Sequence, residues 1–145
     1  VSNKQIKKMS QAFTLADQAY DKFESFDFRT AISLYEQAAV TAGIQGDQKN
    51  ESLFNLCGFL IFCAESLDDF ASCAAKLENL QNQLSSKDKQ FLVSVLDCTK
   101  SKNVEQLLTA LMQRDSVEAI PPQVCSILVS LKKKMQNNED YCEMI

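Results

Sequence analysis

The chain has 145 residues, of which 46% are hydrophobic and 23% charged, with only three Gly and two Pro. This is one domain's length with enough apolar material for a core, and it excludes a disordered tail, a collagen-like fibre and a multidomain enzyme. Fifteen basic against nineteen acidic residues give a net charge of −4, which argues against general nucleic-acid binding.

Apolar residues recur at helical spacing almost throughout, predicting an all-α fold of about seven helices and no strand. The first helix covers residues 3–24 and should turn Ile6, Met9, Phe13, Ala16, Ala19, Tyr20 and Phe23 inward. The second carries Phe28, Ala31, Ile32, Tyr35, Ala38, Ala39 and Ala42, and stops at Gly43 and Gly46. The third, residues 49–66, is apolar nearly all round from Leu53 to Ala64, as a central buried helix is. A membrane span needs about 18 such residues. This run is shorter, and Glu51 and Glu65 flank it.

Ser66-Leu67-Asp68-Asp69 reads as a capping box opening a fourth helix with Phe70, Cys73, Ala74, Leu77 and Leu80 on one face. Ser85-Ser86-Lys87-Asp88 opens a fifth, carrying Phe91, Leu92, Val95 and Leu96. Asn103 caps a sixth with Val104, Leu107, Leu108, Leu111 and Met112. Pro121 and Pro122 start the seventh, where Val124, Ile127, Leu128, Leu131 and Met135 follow. Residues 136–145 have no core pattern and read as an acidic tail.

Short loops make successive helices antiparallel neighbours. The run from Asp27 through Tyr35 to Ala38 has the pattern of a tetratricopeptide second helix, in which small Ala allows close approach. The expected architecture is one domain: a repeat-type helix pair over 1–46, a helical bundle over 47–135 and the tail, together a tetratricopeptide-like α-hairpin solenoid.

Chemistry-bearing patterns are missing from this sequence. It contains no His, which removes the commonest acid–base group and metal ligand. It also has no Gly-x-Ser-x-Gly elbow, Walker loop or Gly-rich phosphate cradle. The six Cys lie in apolar runs without Cys-x-x-Cys spacing and read as reduced core thiols of a cytosolic protein. Asp68 and Asp69 sit where a helix dipole favours them. The expectation is a non-enzymatic protein with no catalytic, metal or cofactor site. No signal peptide is visible, and an opening Val suits a processed or trimmed product.

Several stretches occur in a familiar order: Ala31-Ile32-Ser33-Leu34-Tyr35-Glu36-Gln37, an apolar helix ending in Phe62-Cys63, and Lys76-Leu77-Glu78-Asn79-Leu80. A gapless series follows, with Asn103-Val104-Glu105, Asp115-Ser116, Leu128, Leu131-Lys132-Lys133, Gln136 and Glu139-Asp140. From Phe28 onward the chain thus resembles the C-terminal half of the SNAP family, the soluble adaptors that bring the ATPase NSF to SNARE complexes. The resemblance implies a cytoplasmic, non-enzymatic adaptor that touches membranes only peripherally through its partners. In the family, basic residues lie along the acidic SNARE bundle, an acidic C-terminal end binds the NSF N-terminal domains, and a leucine close to the terminus helps stimulate ATP hydrolysis.

Carried onto this chain, that implies NSF contacts at Glu139, Asp140 and Glu143, with Cys142 or Met144 as the apolar anchor. SNARE contacts fall on Lys4 and Lys8, within an Asn-Lys-x-x-x-Lys stretch, and near Lys49. Lys4 and Lys8 precede Ala31 by roughly two and a half helical turns more than the family pattern has. Family members are about twice as long, so the chain reads as a fragment or a shortened, modulatory form. Two other readings stand beside this one. One is a generic tetratricopeptide-like scaffold that binds a peptide or protein. The other is a C-terminal prenylation box, Cys142-Glu143-Met144-Ile145.

Overall fold

A computed structural model describes residues 3–144, with side chains over 11–137. Among the described residues the regular structure is entirely helical. The order is α1 (Asn3–Glu24), α2 (Phe28–Ile44), α3 (Gln48–Glu65), α4 (Phe70–Asn79), a 3₁₀ turn (Gln81–Gln83), α5 (Ser86–Ser101), α6 (Val104–Val117) and α7 (Pro122–Met144).

Local chemistry sets the helix starts. The side chains of Asp27, Asp47, Ser85 and Asn103 each accept the backbone N–H three residues on, at 3.1–3.3 Å, which satisfies one of the donors a first turn leaves unpaired. The predicted cap at Ser66 is corrected. Ser66 closes α3, its N–H donating to Phe62 and Cys63, and Asp69 caps α4. The Asp69 carboxylate accepts from the Ser72 N–H at 3.1 Å and the Ser72 hydroxyl at 2.6 Å. Those bonds hold its carboxyl below the ordinary value.

The centre of the molecule is α3. Phe59, Leu60 and Ile61 are 0–1% exposed, and Ser52, Phe54, Asn55, Leu56, Cys57 and Gly58 are also buried. It packs against α2, α4, α5 and α7. The α2 contact is close because Ala31, Ala38, Ala39 and Ala42 are small and buried. At Gly58 an added Cβ would meet the Tyr35 Cβ at 3.4 Å. The helices α1, α2 and α3 pack in chain order, whereas α7 folds back onto α3, a long-range contact that a nearest-neighbour stack does not contain.

The buried stripe of α7 is the predicted one: Val124, Ile127, Leu128, Leu131 and Met135. Three expected core residues are instead exposed: Phe13 (44%), Leu108 (41%) and Met112 (72%). On α1 the small Ala12 and Ala19 face inward, and on α6 the burial is confined to Leu107 and Ala110. Each of these helices presses a narrow strip inward, so a wide apolar stripe overestimates its burial. Ile6 and Met9 lie outside the described side chains.

One polar cluster crosses the core. Asp88, on α5, accepts from the Ser52 hydroxyl at 2.6 Å and the Arg114 Nε at 2.9 Å. Ser52 in turn accepts from the Ser85 N–H at 2.8 Å, and Arg114 donates to the Glu118 carbonyl at 2.8 Å. The side chains of Asp88 and Arg114 are 7% and 10% exposed. This pair ties α3, α5 and the end of α6 together in a poorly solvated place, where loss of one charge strands the other. The expected outcome is that Asp88→Ala lowers the unfolding free energy by about 3–5 kcal/mol in urea titrations. Lys49→Ala, which breaks a solvent-facing pair with Glu118, should cost under about 1 kcal/mol.

Candidate functional site

The seventh helix begins as Pro122 allows, with Val124 and Cys125 donating to the Pro121 carbonyl at 3.0 and 3.3 Å. Its last buried residue among the described side chains is Met135, with Gln136 and Asn137 exposed. The helix nevertheless continues for nine residues to Met144, about 13 Å of rise. The segment read as a tail is therefore helical in backbone. Its helical register puts Glu139 with Glu143, and Asp140 with Met144, four residues apart and on shared faces. The side chains of Glu139, Asp140, Cys142, Glu143 and Met144 lie outside the described ones, as do those of Lys4 and Lys8.

Lys134 anchors this part of α7. Its Nζ lies 3.6 Å from Glu65 and 4.7 Å from the centre of the Phe28 ring. That joins α7 to the C-terminal end of α3 and the start of α2. Beside it, Glu65, Ser66, Asp68, Asp69, Lys134 and Asn137 line an open hollow.

Lys49 sits at the other end of α3. Its side chain is 80% exposed, and its Nζ lies 3.2 Å from Glu118, which also pairs with Lys87. One carboxylate shared by two ammonium groups leaves a positive charge in place. The 18 residues of α3 span about 27 Å, so Lys49 and the exit of α7 are at opposite ends of the central helix. Sequence reading did not find the Lys49–Glu118–Lys87 cluster. Its partners are far apart along the chain, and only folding brings them together.

The thiols are part of the packing. Cys57, Cys63, Cys73 and Cys98 are buried, Cys125 is half-buried, and all five are free. Burial pushes the Cys57 thiol up to about 12, against an opposing hydrogen bond with Tyr35. Burial also raises the Tyr35 hydroxyl well above its ordinary range, with Cys57 adding to the shift. A hydrogen bond with Cys73, together with burial, keeps the Cys63 thiol protonated. Cys57 and Cys63 are therefore poor nucleophiles, because the thiolate is the reactive form, whereas the same Cys63 hydrogen bond holds the Cys73 thiol below its ordinary value. Among the described residues, no group of three or more Cys, Asp or Glu is placed to hold a metal ion, and no helix is long and apolar enough to cross a membrane.

Comparison of the chain with protein-family models, curated proteins and solved structures yields no match.

Cys57 titrates above its ordinary value of 9.0, so the stabilisation from its neutral form is complete below pH 9 and disappears as pH rises towards 12. The melting temperature should accordingly fall over that alkaline interval. At pH 8, iodoacetamide followed by peptide mass mapping should leave Cys57 and Cys63 unmodified until the chain is unfolded.

Proposed function

We propose that the chain is a non-enzymatic adaptor of the SNAP type with a modulatory role. In this reading the end of α7 engages the N-terminal domain of an NSF-type ATPase. Lys4, Lys8 and Lys49 face an acidic SNARE bundle. The protein works in the cytoplasm and reaches membranes peripherally, through those partners.

The observation that carries the reading is the course of α7, whose last buried residue among the described side chains is Met135 and whose backbone stays helical to Met144. Its final turns contain Glu139, Asp140 and Glu143, with no basic residue in the last turn. Negative charge at a helix C-terminus opposes the macrodipole. A basic partner surface would relieve that opposition and would be steered towards it. Met144 supplies a flexible apolar side chain for an accompanying pocket. The separation of Lys49 from the α7 exit also suits a molecule that holds two partners at once.

The second reading, a tetratricopeptide-like scaffold for a peptide, draws on the alanine-lined contact face of α2. Pull-down with the NSF N-domain separates the two. The adaptor reading expects binding that weakens with salt, drops about tenfold in Met144→Ala, equivalent to about 1.4 kcal/mol, and vanishes on truncation after Asn138. Binding that survives this truncation contradicts it. Full SNARE disassembly supported by this chain alone would contradict the modulatory role.

A further inference from the structure

We infer that the cleft between α1, α3 and the start of α7 is a docking site for an arginine side chain of a protein partner. Its volume is about 250 Å³, below the roughly 300–1,000 Å³ of pockets for drug-sized molecules and suited to one long side chain. Two of its walls are aromatic. The Phe13 and Phe54 rings stand 6.0 Å apart at 89°, forming a corner. Asp17 and Asp21, one turn apart on α1, line the same cleft, with Tyr20 between them in sequence.

Two observations give the cleft its sign. Among the described residues, no cation pairs with Asp17 or Asp21, and the α7 side contributes Pro121, Gln123 and Val124, none of them charged. The fold also covers other rings with its own cations: Lys76 lies over Phe62, Lys100 over Phe70 and Lys134 over Phe28, at 4.7–4.8 Å. Among the described residues, no Lys or Arg lies over Phe13, the exposed ring of the corner at 44%, whereas Phe54 is buried and closes the back of the cleft.

The exposed Phe13 ring beside two carboxylates attracts a cation both through its face and through charge. A guanidinium meets both at once. It stacks on a ring, pairs with a carboxylate in a planar fork, and gives up its hydration more easily than an ammonium. The site is separate from the end of α7, and its occupancy does not depend on the adaptor role.

The test is a ¹H–¹⁵N NMR titration of the full chain with three blocked pentapeptides, each carrying Arg, Lys or citrulline between pairs of Gly. The Arg peptide should shift the amides of Phe13, Asp17, Tyr20, Asp21 and Phe54 in a saturating manner. The citrulline peptide should bind at least tenfold more weakly, and the Lys peptide severalfold more weakly. Asp17→Asn with Asp21→Asn should reduce Arg-peptide affinity at least tenfold without changing the melting profile, both side chains being at the surface. Equal binding of citrulline or Lys, shifts that survive the double substitution, shifts mapped elsewhere, or no shifts at all would each overturn the inference.

Discussion

Burial of α3 on all sides is the constraint on which the rest of the structure depends. A helix that is apolar nearly all round has no stable place at a surface, so α2, α4, α5 and α7 are arranged by the need to cover it. The helix α2 covers it closely because alanines and Gly58 bring the two backbones together. The helices α4 and α5 cover further faces, and α7 returns from the end of the chain to close it. The polar pin from Ser52 through Asp88 to Arg114 fixes how α5 and α6 sit against this helix. Apolar packing supplies the attraction without dictating register; the buried ion pair adds a position at which only one arrangement leaves no charge stranded.

That frame also determines where the candidate contact residues go. Because α7 packs on α3 and is anchored by Lys134 at Glu65 and Phe28, its last described side chains lie at one end of the central helix. Lys49 and its shared carboxylate occupy the other end. Lys49 and the last described side chains of α7 are thus held at opposite ends of α3. The proposed arginine cleft, on the α1 side, is a third surface with the opposite charge preference from Lys49.

Much of the fold was legible because its signal is local. Helical periodicity marked all the helices, Gly46 with φ of 75° marked a turn after α2, and the caps Ser85 and Asn103 are side chain to backbone contacts three residues long. Ser66 misled because Ser66 and Asp69 both have capping chemistry, and only the backbone course reveals that the first ends one helix while the second starts the next. Phe13, Leu108 and Met112 misled for a different reason: an apolar residue at helical spacing is buried only if another element reaches that angle of the helix. Phe13 instead lines the cleft with Asp17. The Asp88–Arg114 pair was invisible, since Asp88 reads as a capping-box carboxylate and Arg114 as an ordinary solvated helix position until α5 and α6 meet; in the fold the Ser85 N–H goes to Ser52 and the Asp88 carboxylate to Ser52 and Arg114. The candidate contacts at Lys4, Lys8 and Glu139 to Met144 came from resemblance, which concerns partners and has no expression in periodicity.

Native-state hydrogen exchange tests the central claim most directly. If α3 is the central element that α2, α4, α5 and α7 cover, its amides from Phe54 to Ile61 exchange only through global unfolding, with free energies equal to that from denaturant melts. They should also be the slowest in the protein. Faster exchange in α3 than in α5 or α6 would contradict the account, because the central helix could then open while its covering remained folded.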